Sequence, residues 1–74
     1  MAYWVEDEDG DLLNLDKAHH VFIEDWGPDY TERFRVLVTI YSQEFLIRKF
    51  CSKENAKQLR QEIYIGLMGN NGNT

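Results

Sequence analysis

The chain has a single cysteine, a single proline, and no apolar run long enough to cross a bilayer. A lone Cys51 can form neither an internal disulfide nor an all-cysteine zinc site, so a reducing, cytoplasmic setting is the default expectation. A membrane helix needs about 18 or more consecutive apolar residues, and their absence predicts no span and no membrane partner. The opening residues, Met1 to Glu6, turn acidic at once and lack the basic-then-apolar order of a secretory signal. There is no glycine-rich phosphate loop and no nucleophile elbow. Cations are scarce as well: 8 Lys and Arg stand against 13 Asp and Glu, with a pI near 4.8. Such a chain repels phosphates, which disfavours nucleic acid as a partner.

What is present is enough for a core. Hydrophobic residues make up 43% of 74 positions, and ten aromatics argue against disorder. The length predicts one domain, over residues 1–68, followed by a flexible, polar, glycine-rich tail over 69–74. A core this small leaves little net stability, and self-association would add to it. Charge is unevenly spread. Residues 1–32 hold ten acids and one lysine, whereas residues 33–74 hold seven cations and three acids. This division predicts surfaces of opposite sign on the folded molecule.

Hydrophobic periodicity and turn chemistry predict five strands and a helix. Asp9-Gly10, between residues 3–5 and 12–15, reads as a type I′ hairpin turn. Residues 19–25 are rich in β-formers and read as a third strand. The Gly27-Pro28-Asp29 segment marks a loop over 26–32. Residues 33–41 and 44–50, separated by Ser42-Gln43, read as an antiparallel hairpin in which 41 faces 44 and 37 faces 48. Ser52 sits where a helix cap belongs, and Ala56, Leu59, Ile63 and Leu67 recur at helical spacing through residue 68, with Gly69 positioned to end the helix. The fold class is α+β: a small antiparallel meander of about five strands with one C-terminal helix on one face.

Alternation in the second hairpin divides its side chains between two faces. Phe34, Val36, Val38, Ile40, Phe45, Ile47 and Cys51 are expected to meet the helix, with Lys49 reaching past them to water and Cys51 buried and inert. The opposite face is expected to carry Arg35, Leu37, Thr39, Tyr41, Glu44, Leu46, Arg48 and Phe50. It is too apolar for an ordinary solvent face. Either it docks a partner, or Trp26, Tyr30 or the N-terminal hairpin folds over it.

No motif predicts catalysis. Aligning Gly10 with the glycine of a calcium loop puts Val5 where the first carboxylate belongs and Asp16 where a glutamate is needed, so the acids read as a solvated turn. His19 and His20 are adjacent on a strand and point to opposite faces, which prevents them from sharing a metal. The carboxylates crowd into turns instead of facing one another in a cleft. No metal and no cofactor is expected.

Residues 9–24, with Asp9-Gly10, Leu13, Leu15-Asp16 and Phe22-Ile23-Glu24, resemble the opening of the small FlbD-type flagella-associated proteins, where an Asn-Gly turn leads into a similar strand. The resemblance ends there and implies no function. In size and charge the chain also resembles small viral proteins that block nucleases or other nucleic-acid-handling effectors. The expected function is a small non-enzymatic protein-interaction or regulatory module. It would bind a protein partner, or a second copy of itself, through Arg35, Leu37, Tyr41, Leu46, Arg48 and Phe50. An acidic surface of Glu6, Asp7, Glu8, Asp9, Asp11, Asp16, Glu24 and Asp25, extended by Asp29 and Glu32, flanks that face. In the alternative, this acidic surface itself stands in for phosphates and blocks a basic nucleic-acid-binding site.

Overall fold

A computed structural model describes residues 3–72, and side chains as far as residue 68. Strands β1 (Trp4–Glu6) and β2 (Leu12–Asn14) form a two-stranded antiparallel sheet. A 3-10 turn over Leu15–Lys17 leads into β3 (Ala18–Asp25), which begins a second sheet with β4 (Phe34–Ile40) and β5 (Gln43–Phe50). The order in that sheet is β3-β4-β5, all antiparallel. Helix α1 (Lys53–Gly72) closes the chain and packs on the second sheet. The expected α+β meander with a C-terminal helix is the observed fold, divided between two sheets.

The helix begins where the sequence places it. The Ser52 hydroxyl accepts the Asn55 N–H at 3.4 Å, which satisfies a donor left over at the helix start, and its carbonyl accepts the Ala56 N–H at 3.2 Å as the first i to i−4 bond of the helix. Ala56 and Ile63 are fully buried, with Leu59 and Leu67 half-buried on the same stripe. The expected end at Gly69 is not observed. The helical backbone continues through it to Gly72, since a glycine inside a helix costs only about 1 kcal/mol relative to alanine. Residues 69–72 thus belong to the helix, and residues 73 and 74 of the expected tail lie outside the described residues.

Both hairpin turns differ from their sequence reading. At the first, the Asp7 N–H donates to the Asp11 carbonyl at 2.8 Å and the Gly10 N–H to the Asp7 carbonyl at 3.1 Å, leaving residues 8–10 as the loop. Gly10 takes φ +87 whereas Asp9 does not, so this is a turn over 7–10 closed by one left-handed glycine. Asp7 Oδ1 accepts N–H bonds from Asp9 and Asp11, both at 2.9 Å, and this side-chain bonding selects the geometry. At the second, Tyr41 and Ser42 form the loop with φ 51 and 69, the two positive values a type I′ turn requires. Ile40 therefore faces Gln43 and Leu37 faces Leu46, two residues away from the expected pairing. A slip of two leaves every side chain on its original face, so hydrophobic alternation could not distinguish the registers.

A bulge changes the faces further along. Pairing steps from Leu37 with Leu46 to Val36 with Arg48, which leaves Ile47 without a partner. Beyond that extra residue Phe34 faces Phe50 and Arg35 faces Lys49. Phe50 consequently packs against the helix-side core, and Lys49 leaves that side. Cys51, expected to be buried, is exposed just past the strand end.

The core is Leu15, Val36, Val38, Ile47, Ala56 and Ile63. Phe34, Ile40, Phe45, Phe50, Val21 and Ile23 surround it from the sheet, and Tyr3, Val5 and Leu13 from the N-terminal hairpin. Gly66 permits the last of these approaches: a Cβ there would lie 2.5 Å from the Tyr3 ring. Ile63→Ala is expected to lower unfolding free energy by about 2–5 kcal/mol in urea titrations, since a fully enclosed side chain leaves a cavity that its neighbours only partly refill.

Candidate protein-interaction surface

Because α1 covers one face of the β3-β4-β5 sheet, the side chains of the other face lack a helix above them. Register places His20, Phe22 and Glu24 of β3 beside Thr39, Leu37 and Arg35 of β4, with Glu44, Leu46 and Lys49 of β5 completing the rows. Leu37 sits at the centre between Phe22 and Leu46. It is only 9% exposed and takes no part in the helix-side core. His20 stacks on Phe22 with ring centroids 5.0 Å apart. Phe22 and Leu46 stay half-buried.

The loop after β3 folds back over one end of this face. Its base is tied by Arg33, whose Nε and Nη2 donate to Asp25 Oδ1 and Oδ2, both at 2.8 Å. Asp25 Oδ1 also accepts the Gly27 N–H at 2.9 Å, and the Trp26 N–H donates to the Arg33 carbonyl. Gly27 supplies a positive φ of 96 that turns the chain at once, which a β-carbon would oppose. Trp26, steered by a 2.8 Å bond from its Nε1 to Glu24 Oε1, lies over Arg35, whose guanidinium carbon is 3.6 Å from the ring centroid. Tyr30 meets Trp26 edge-on at 5.4 Å and is itself 5.4 Å from that guanidinium. Arg35 Nε is buried and has no hydrogen-bond partner, so its environment is the aromatic face. A partly desolvated stack of this kind is worth about 0.5–2 kcal/mol.

The six residues expected to bind a partner do not form one patch. Leu37 and Leu46 share the outer face, and Arg35 lies on it beneath Trp26. Tyr41 is 69% exposed but sits in the turn at the sheet's end. Arg48 is exposed opposite Val36, past the bulge. Phe50 belongs to the other side, for the reason already given. The sequence reading left out Phe22 and His20, although the alternation of residues 20, 22 and 24 carried the signal once β3 was set beside β4. It also left out the exposed apolar side chains Trp4 and Leu12 on the N-terminal hairpin and Tyr64, Ile65 and Met68 on α1.

The acids divide into two groups. Several serve the fold: Asp7 in its turn, Glu8 accepting the Lys49 backbone N–H at 3.0 Å, Asp16 accepting that of Tyr3 at 3.1 Å, and Glu24 and Asp25 in the loop. The others are exposed, Glu6, Asp9 and Asp11 around the β1-β2 loop and Asp29 and Glu32 in the loop after β3. Among the described residues Arg33 and Asp25 form the one ion pair, so the charge division in the sequence is not cancelled by internal pairing. Among the described residues, no three His, Cys, Asp or Glu side chains converge as metal ligands, and no helix is long and apolar enough to cross a membrane.

The surface thus defined belongs to a one-helix α+β unit whose uncovered sheet face is partly roofed by its own aromatic loop. Comparison with protein-family models, with curated proteins and with solved structures finds no match to this chain.

The loop tie has a pH signature. The Arg33 bond, aided by the Gly27 N–H, lowers the Asp25 pKa from 3.8 to about 2. A carboxyl with a depressed folded pKa contributes stability above its unfolded value and loses it as pH falls through the folded one. Stability from this group should therefore be intact above pH 3.8 and disappear on descent to about pH 2. Acid-unfolding curves of Asp25→Asn are expected to be flatter across that window, and carboxyl NMR titration of the native chain should give the low pKa directly.

Proposed function

We propose that the protein is a non-enzymatic interaction module whose docking surface is the sheet face opposite α1. The observation that carries this reading is a single row on the side without a helix, half-buried Phe22 and Leu46 flanking a nearly enclosed Leu37, beside an exposed Trp26 and Tyr30 stacked on Arg35. Aromatic and arginine side chains around a partly dry apolar centre are the composition that protein interfaces favour. The stack holds Trp26 and Arg35 in place before any encounter, which reduces the ordering entropy of binding. Asp25 and Arg33 hold each other as the tie that closes the loop carrying Trp26.

One observation favours a second reading, in which the acidic hairpin tip mimics phosphates and occupies a basic nucleic-acid-binding site. Glu6, Asp9 and Asp11 are exposed and outside any ion pair among the described residues. Exposed charges act at a range set by salt, so binding through the tip would weaken steeply as ionic strength rises.

Affinity capture with three baits separates the readings. The sheet-face reading expects partners held by the native chain to be lost with Leu46→Glu and kept with a Glu6→Gln, Asp9→Asn, Asp11→Asn bait. It also expects only a modest salt effect. The opposite pattern, with retention abolished by neutralising the tip or by moderate salt, supports the acidic reading and overturns the first. Far-ultraviolet circular dichroism of each bait establishes that the fold is retained.

A further inference from the structure

We propose that the free edge of β3 pairs with the same edge of a second copy, antiparallel and centred on Phe22, to give a two-fold dimer with a continuous six-stranded sheet. This goes beyond the reading of the outer face and does not depend on it.

The sheet has two edges, and they are treated differently. On β5, Glu8 Oε1 accepts the Lys49 backbone N–H, so the N-terminal hairpin occupies the end of that edge. On β3, among the described residues, no backbone group of residues 20–24 bonds to anything outside the β3-β4 ladder. Helix α1 does not seal the edge either: an open cleft of about 400 Å³ separates His19, His20 and Val21 from Arg60 and Tyr64. An unpaired edge of this kind is a template for another strand.

The sequence of β3 selects the strand. In a two-fold sheet that continues across the edge, residues on the same face must oppose one another, so the axis passes through a residue. Centred on Val21, the pairs are His20 with Phe22 and His19 with Ile23, polar against apolar. Centred on Ile23, they are Phe22 with Glu24 and Val21 with Asp25, mismatched again. Centred on Phe22, His20 opposes Glu24 twice, Val21 opposes Ile23 twice, and Phe22 opposes its own copy. Only this register matches imidazole with carboxylate and apolar with apolar on both faces. His19 has no partner in β4, and the irregularity there limits regular pairing to residues 20–24. The two outer faces would then join at Phe22 into one surface.

Sedimentation equilibrium and a charge swap test the proposal. The native chain is expected to show a reversible monomer–dimer equilibrium. His20→Glu should weaken it about tenfold, because the like-charge contact occurs twice across the axis. Adding Glu24→His to that variant should restore dimerisation, which a merely unfolded or destabilised chain would not do. In a Cys51→Ser background, Phe22→Cys should form a disulfide-linked dimer under mild oxidation far faster than Tyr41→Cys, which is exposed but remote. A chain that remains monomeric up to its solubility limit overturns the proposal. So does a dimer indifferent to His20→Glu, or one whose Phe22→Cys form links no faster than the control. Leu46→Glu is expected to leave dimerisation unchanged, so failure of the outer-face reading is distinguishable from failure here.

Discussion

One helix can shield one side of a sheet, and the molecule is organised around that constraint. Val36, Val38 and Ile47 are sealed with Ala56 and Ile63 into a core that, among the described residues, encloses no polar or charged residue. The large side chains on the other side of β4 have to be sheltered by something lighter. Leu37 is sheltered by its strand neighbours, and Arg35 by a tryptophan delivered from a loop. The aromatic roof is local and incomplete. It leaves a surface half dry and half open, a condition that suits an interface better than a finished core or an ordinary solvent face.

The bulge at Ile47 reconciles two demands on β5. Near the turn, Phe45 must share a side with Val38, and at the far end Phe50 must share a side with Phe34. Strict alternation puts 45 and 50 on opposite faces. One extra residue resolves the conflict and lets Ile47 itself fill the centre of the core. The outer face thereby loses Phe50 and gains Lys49, and so becomes smaller and more cationic than alternation alone implies.

The acidic N-terminal half contributes more to architecture than its charge suggests. Asp7 shapes a turn, Glu8 attaches the hairpin to β5, Asp16 holds Tyr3, and Asp25 anchors the loop that carries Trp26. These carboxylates mainly accept backbone N–H groups that short strands and tight loops would otherwise leave unpaired. Among the described residues, the acids of this half with no such duty are Glu6, Asp9 and Asp11 beside the first turn and Asp29 and Glu32 in the loop after β3, all exposed. A functional role for charge would fall to these two loops.

Several elements were legible in the residues alone because local chemistry decides them. Ser52 and the Ala56, Leu59, Ile63, Leu67 stripe determine the helix. Val36, Val38 and the residues alternating with them determine which side of β4 is buried, and Gly27-Pro28 determines a loop. Turn position, register and the bulge belong to the tertiary structure. A slip of two residues preserves every face, so only twist and turn geometry could choose between pairings. An extra residue at Ile47 is favourable only when a core is present to receive it. Whether the outer face is bare or roofed was likewise decided in three dimensions, because the stacking of Trp26 on Arg35 joins residues on different elements and depends on the Asp25 to Arg33 tie that closes the loop between them.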